Sequence, residues 1–184
     1  MPNISQIRVF IHTAEDDGSG TDSDVYLGIG GREFFLDTTR DDFETFQKDH
    51  LIINGQGGSA PLLNVGSAND PKRPPLHTDF LDKFPVYIRM EPRGDRPSWT
   101  VLFYRDPSGP AFMQDLTSIL VLVDVAEVVG GQVMNRKFRE YVPFITDAEL
   151  KSFDPASTRQ DHGVHNFQMG REWGKICYLR RFPA

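Results

Sequence analysis

The densest concentration of groups able to hold a ligand is the run Glu15-Asp16-Asp17-Gly18-Ser19-Gly20-Thr21-Asp22-Ser23-Asp24, which places five carboxylates and two glycines within ten residues. Hard oxygen donors crowded on a flexible turn suit Ca²⁺, which takes about six to eight oxygens from carboxylates and backbone carbonyls. The spacing is not that of an EF-hand, because Gly18 and Gly20 stand where further carboxylates are needed. One turn of a Gly-x-Gly-x-Asp pattern is present at Gly18–Asp22, without repetition. Spacing alone leaves two readings open: a Ca²⁺ loop, or a polar hairpin turn solvated by water. A second acidic cluster, Asp37-Thr38-Thr39-Arg40-Asp41-Asp42, follows a short strand-like run. In a sandwich its loop can lie at the same end as the first. Carboxylates brought together without a cation repel and raise each other's pKa, so convergence predicts a metal or a loosened loop. The alternative is that Arg40 neutralises a neighbour while Asp41 or Asp42 caps a turn.

Other reactive residues are sparse. Asp161, His162 and His165, with Glu172 further on, could bind Zn²⁺ and support a small metal-dependent hydrolase, although Gly163 and β-branched Val164 argue against a helix that would align the two rings. The chain contains no Gly-x-Ser-x-Gly elbow, Walker loop, dinucleotide fingerprint or His-Glu-x-x-His. Cys177 is the single cysteine, in an apolar strand-like setting that predicts an inert core thiol and excludes an intramolecular disulfide. Arg93-Gly94-Asp95 reads as a β-turn. Phe112 and Met113, beside Gly109-Pro110, are candidates for partner contact, and Trp99 is either a core residue or one at an interface.

The elements that must position these groups are strands. Ile7, Val9 and Ile11 alternate with Arg8, Phe10 and His12, and Val25, Leu27 and Ile29 alternate with Tyr26 and two glycines, the period of a half-buried strand. Further β-branched and aromatic runs lie at 32–36, 50–53, 85–90, 98–104, 119–129, 133–138 and 175–179, punctuated by Gly, Pro, Asn and Asp. They predict an antiparallel all-β sandwich or barrel. Thr146-Asp147-Ala148-Glu149 has the form of a capping box and predicts a short helix ending near Phe153. The stretch from Gly55 to Pro75 reads as a long surface loop. The division expected is a sandwich over 1–138 and a C-terminal extension over 139–184 packed on it.

With 184 residues, 39% apolar and 25% charged, the chain can bury a sizeable core. Its net charge of −6 argues against non-specific nucleic-acid binding, which depends on Lys and Arg neutralising phosphates. The charge is uneven: residues 1–50 carry 4 basic and 11 acidic side chains, and residues 136–184 carry 9 and 6. The run Ile119–Val129 is interrupted by Asp124 and Glu127 and is shorter than the roughly 20 residues a spanning helix needs, so it reads as a strand. No basic-then-apolar secretory leader opens the sequence, and a cytoplasmic location is the expectation.

Residues 7–13, Gly20-Thr21-Asp22-Ser23-Asp24-Val25-Tyr26-Leu27-Gly28-Ile29-Gly30-Gly31, Phe35-Leu36-Asp37 and Arg40-Asp41-Asp42-Phe43-Glu44 together resemble the start of a PLAT (polycystin, lipoxygenase, α-toxin) domain. Pro85–Arg89 and Ser98-Trp99 resemble later strands of that family, and nothing after Phe138 does. The resemblance implies a β-sandwich that binds a protein or a lipid surface, often with Ca²⁺ at one loop end. The matching calcium-loop positions are Gly20, Thr21, Asp22 and Asp24, with Asp16, Asp17 and Asp37 as completions. A non-enzymatic binding module is the reading it favours. An assembly subunit of a larger complex is also compatible with the sequence.

Overall fold

The computed structural model describes residues 2–13, 17–38, 40–56, 63–94, 98–105, 119–143, 164–169 and 175–182. They form an antiparallel β-sandwich. The strands are β1 (Ile4–His12), β2 (Asp24–Ile29), β3 (Arg32–Phe35), β4 (Lys48–Ile53), β5 (Leu63–Asn64), β6 (Val86–Glu91), β7 (Trp99–Arg105), β8 (Ile119–Val129), β9 (Gln132–Pro143), β10 (Val164–Met169) and β11 (Ile176–Phe182). The large sheet has the order β3-β2-β6-β11-β9-β8-β1-β4-β5, and β7 pairs with β10. Only the β4–β5 pairing is parallel among the described strands.

Strand β11 is where the large sheet changes layer. Its first half, Ile176–Leu179, pairs with β6, and its second, Leu179–Phe182, pairs with β9. The two halves of the sheet face each other across one core. Alternating side chains of β1 (Ile7, Val9, Ile11) meet those of β2 and β6 (Val25, Leu27, Ile88, Met90) in a single buried cluster. This is the expected consequence of a period of two in strands that each have one wet face.

The expected division at 138/139 falls inside β9, and β10 and β11 belong to the same two sheets as the N-terminal strands. Residues 164–169 and 176–182 are therefore tied to earlier strands by backbone hydrogen bonds. The helix expected over Thr146–Phe153 lies outside the described residues. Of the stretch expected to be a loop, the described residues 65–75 carry no strand or helix, and the chain turns inward at Val65 and Asp70, which are buried. Among the described residues no helix is long and apolar enough to cross a membrane.

Strand β1 defines two poles. At its C-terminal end lie the β1–β2 and β3–β4 loops, and at its N-terminal end, about 30 Å away for nine residues of strand, the β8–β9 hairpin leaves the sandwich.

Candidate cation site at the acidic pole

The β1–β2 and β3–β4 loops meet because Gly20 has no side chain. A Cβ there would stand 2.8 Å from the backbone nitrogen of Thr45, and the Gly20 N–H instead donates to the Thr45 hydroxyl at 3.1 Å. The adjacent Thr21 N–H donates to the Phe43 carbonyl at 3.2 Å. The two acidic loops expected from the sequence to converge do so, and the result is a group formed by Asp22, Asp41 and Glu44 whose ligating oxygens all lie within 4.8 Å of one another. Asp22 and Asp41 are exposed and Glu44 is half-buried. A polar cleft of about 180 Å³ beside them is walled by Asp37, Arg40 and Asp42 as well.

The remaining residues singled out in the sequence take different positions. Thr21 is buried with its hydroxyl turned inward, accepting from the Ser23 N–H at 3.1 Å and lying 3.9 Å from the Met90 sulfur. It shapes the loop and lines the floor of the same cleft. Asp24 forms an ion pair with Arg93 at 2.8 Å. The turn at Arg93-Gly94 is held against the same loop by the Arg93 N–H donating to the Ser23 hydroxyl at 3.0 Å. Asp17 is exposed on a turn, and Asp37 is exposed at the wall of the cleft. Asp16 lies outside the described residues.

The β3–β4 loop is built around two acidic side chains that serve it structurally. Asp42 caps the turn, accepting from the Thr38 N–H at 2.9 Å and from its hydroxyl at 2.8 Å. Burial raises the Asp42 carboxyl above its ordinary range, against those two hydrogen bonds. Asp49, at the start of β4, accepts from the Arg40 guanidinium at 2.9 Å, the Gln47 amide at 2.8 Å and the Phe43 N–H at 3.1 Å. Its carboxyl is fully enclosed, and burial pushes its pKa up to about 6 despite the three donors. Gln47 in turn accepts from the Glu44 N–H at 2.9 Å. Asp49 thus fixes the segment that presents Asp41 and Glu44.

Two residues of this loop, Phe43 and Phe46, adopt left-handed backbone conformations, with φ of 61° and 69°. Such positions cost of order 1 kcal/mol and persist where the surroundings dictate them. Phe43 is held by the Asp49 bond and by its ring packing 5.1 Å from that of Trp99. Trp99 is a fully buried core residue, its indole N–H donating to the Thr13 hydroxyl at 3.0 Å, so its ring is not presented to a partner. Phe46 is the opposite case, 63% exposed two residues after Glu44. Residue type does not separate Phe46 from Phe43: the two rings lie three positions apart, and the turn between them buries one and exposes the other.

Phe112, Met113, Asp161 and His162 lie outside the described residues, and His165 sits on β10 in register with Tyr104. No protein-family model matches the chain, and no curated protein matches it. Among solved structures, an alpha toxin from Clostridium absonum is similar at 20% identity with a TM-score of 0.39, over 74% of this chain and 28% of the toxin. The chain thus spans about a quarter of the length of that protein, and the functional reading rests on this chain's own residues.

Proposed function

We propose that the protein is a non-enzymatic binding module whose acidic pole takes up Ca²⁺. The observation that carries this reading is the approach of Asp22, from one loop, to Asp41 and Glu44, from another, within 4.8 Å. An all-oxygen set of this kind suits a hard cation, and the open side leaves room for water or a partner's oxygen to complete the coordination. The ion would neutralise carboxylates that otherwise repel, and would tie the β1–β2 loop to the β3–β4 loop. Phe46, exposed beside Glu44, gives the same pole an apolar contact for a protein or lipid-surface partner. Asp37 at the cleft wall is a further candidate donor, whereas Asp24 and Asp42 are committed to Arg93 and Thr38.

Thermal unfolding in EDTA and in excess CaCl₂ tests the reading, with the Asp22→Asn/Asp41→Asn double variant beside the wild type. At free Ca²⁺ about tenfold to a hundredfold above Kd, the wild type should gain about 1.4 to 2.7 kcal/mol. The double variant should lose that response, and it should be at least as stable as the wild type in EDTA because a like-charge contact is gone. Equal responses of the two proteins would reduce the acidic pole to a solvated turn.

A further inference from the structure

At the pole opposite the acidic loops, β8 and β9 continue past their sheet neighbours among the described residues as a two-stranded arm. Strand β1 accompanies β8 only as far as Val125, and β11 accompanies β9 only from Pro143 to Glu140. Beyond those points the arm closes through Gly130 and Gly131, both with positive φ (58° and 82°), the conformation that a two-residue hairpin turn requires. Its end is apolar and wet: Val128, Val129, Val133 and Met134 are 69, 52, 72 and 53% exposed. From Val128 to Asn135 no residue is charged.

The register distinguishes a docking face from an end built for immersion. Val128 stands opposite Val133, and Met134 opposite Glu127, one step along. Alternation therefore places Val128 and Val133 on one face and Val129 and Met134 on the other. A partner covering one face would leave the other two apolar side chains in water, whereas a lipid interface covers both. The base of the arm supplies the matching charge. Arg136, Lys137 and Arg139 lie on β9, paired with Glu127, Glu140 and Asp82, and Arg181 on the adjoining segment of β11 lies close enough to Asp82 to lower its pKa. These four cations less three anions leave +1 on a chain whose net charge is −6. The uncharged end extends about 10 Å from Glu127 to the turn, close to the depth of about 5–10 Å at which interfacial segments sit.

We propose that the β8–β9 arm inserts its apolar end into the interface of an anionic lipid surface, with the basic residues at its base facing the headgroups. This contact lies at the far end of β1 from the acidic loops and needs no cation.

Flotation with vesicles of equimolar phosphatidylglycerol and phosphatidylcholine, in EDTA, tests it with the full chain. The wild type should float, less so on pure phosphatidylcholine and less as ionic strength rises. Val128→Ser with Val133→Ser should weaken binding by about tenfold or more while leaving the melting temperature unchanged, since both side chains are exposed in the free protein. An environment-sensitive fluorophore on Met134→Cys should shift to shorter wavelength when vesicles are added. Four results would overturn the proposal. One is no flotation in EDTA, and a second is equal flotation of wild type and double variant. The third is flotation that needs Ca²⁺ and disappears in Asp22→Asn/Asp41→Asn, which would transfer the lipid contact to the acidic pole. A wild type that ignores vesicles but self-associates in sedimentation, with the serine variant monomeric, would likewise overturn it by assigning the arm to a second copy of the chain.

Discussion

Replacing Asp49 with Asn isolates what the buried carboxylate does to stability. Burial raises its pKa from an ordinary 3.8 to about 6, so between those values the folded protein retains a proton that the unfolded chain has released. Where the folded state binds more protons, stability falls as pH rises. The contribution of Asp49 is therefore fully present below about pH 4 and is lost as pH climbs through about 6. Two pKa units at about 1.4 kcal/mol each give a change of about 3 kcal/mol. Asn cannot ionise, so Asp49→Asn should lack this slope. The variant also leaves one of the three donors, Arg40, Gln47 or the Phe43 N–H, without an acceptor, which lowers its stability by a pH-independent amount of about 1 to 3 kcal/mol. The measurement is urea unfolding of both proteins from about pH 4 to pH 7.5, plotted as the difference between them. The advantage of the wild type should shrink by about 3 kcal/mol across that range. Asp42 titrates in both proteins and largely cancels. Parallel curves, or a wild-type advantage that grows with pH, would refute the argument, because growth would mean that the three donors outweigh burial and hold the carboxylate below its ordinary range.

Other consequences are simpler to check. Asp124 is buried at the β1–β8 pairing, where its carboxylate takes two hydrogen bonds from Arg8, at 2.7 and 2.8 Å, and one from Gln6 at 2.7 Å. Asp124→Ala should cost about 3 kcal/mol, because the half-buried Arg8 loses its counter-charge, and should lower the melting temperature by about 10 °C for a chain of this size. Burial pushes the Cys177 thiol up to about 12, so a chromogenic disulfide reagent at about pH 8 should leave the native protein unmodified and react with one thiol per chain after unfolding. Prompt labelling of the native protein would mean that β11 detaches from β6 and β9 on the time scale of the assay.

The strands were legible in the sequence because a period of two survives wherever one face is dry. Ile7-Arg8-Val9-Phe10-Ile11 and Val25–Ile29 announce β1 and β2 without any knowledge of their partners, and the uncharged Val-Val-Gly-Gly turn marks the end of the β8–β9 hairpin. The all-β class, the buried cysteine and the approach of two acidic loops could be reasoned from residue type and order alone. Which carboxylates meet could not. Asp24 and Thr21 look like donors in the sequence, yet one is paired with Arg93, 69 positions on, and the other is turned into the core beside Met90. Glu44 became a member of the group only through the turn held by Asp49 and Gln47, a set of bonds that local composition does not encode. The placement of β11 between β6 and β9 was equally invisible, since its alternation says that one face is buried and nothing about which edges it joins. Long-range pairing decides such matters. A strand's side-chain pattern records whether water reaches it, whereas its neighbours are chosen by the closure of the whole sheet around one core.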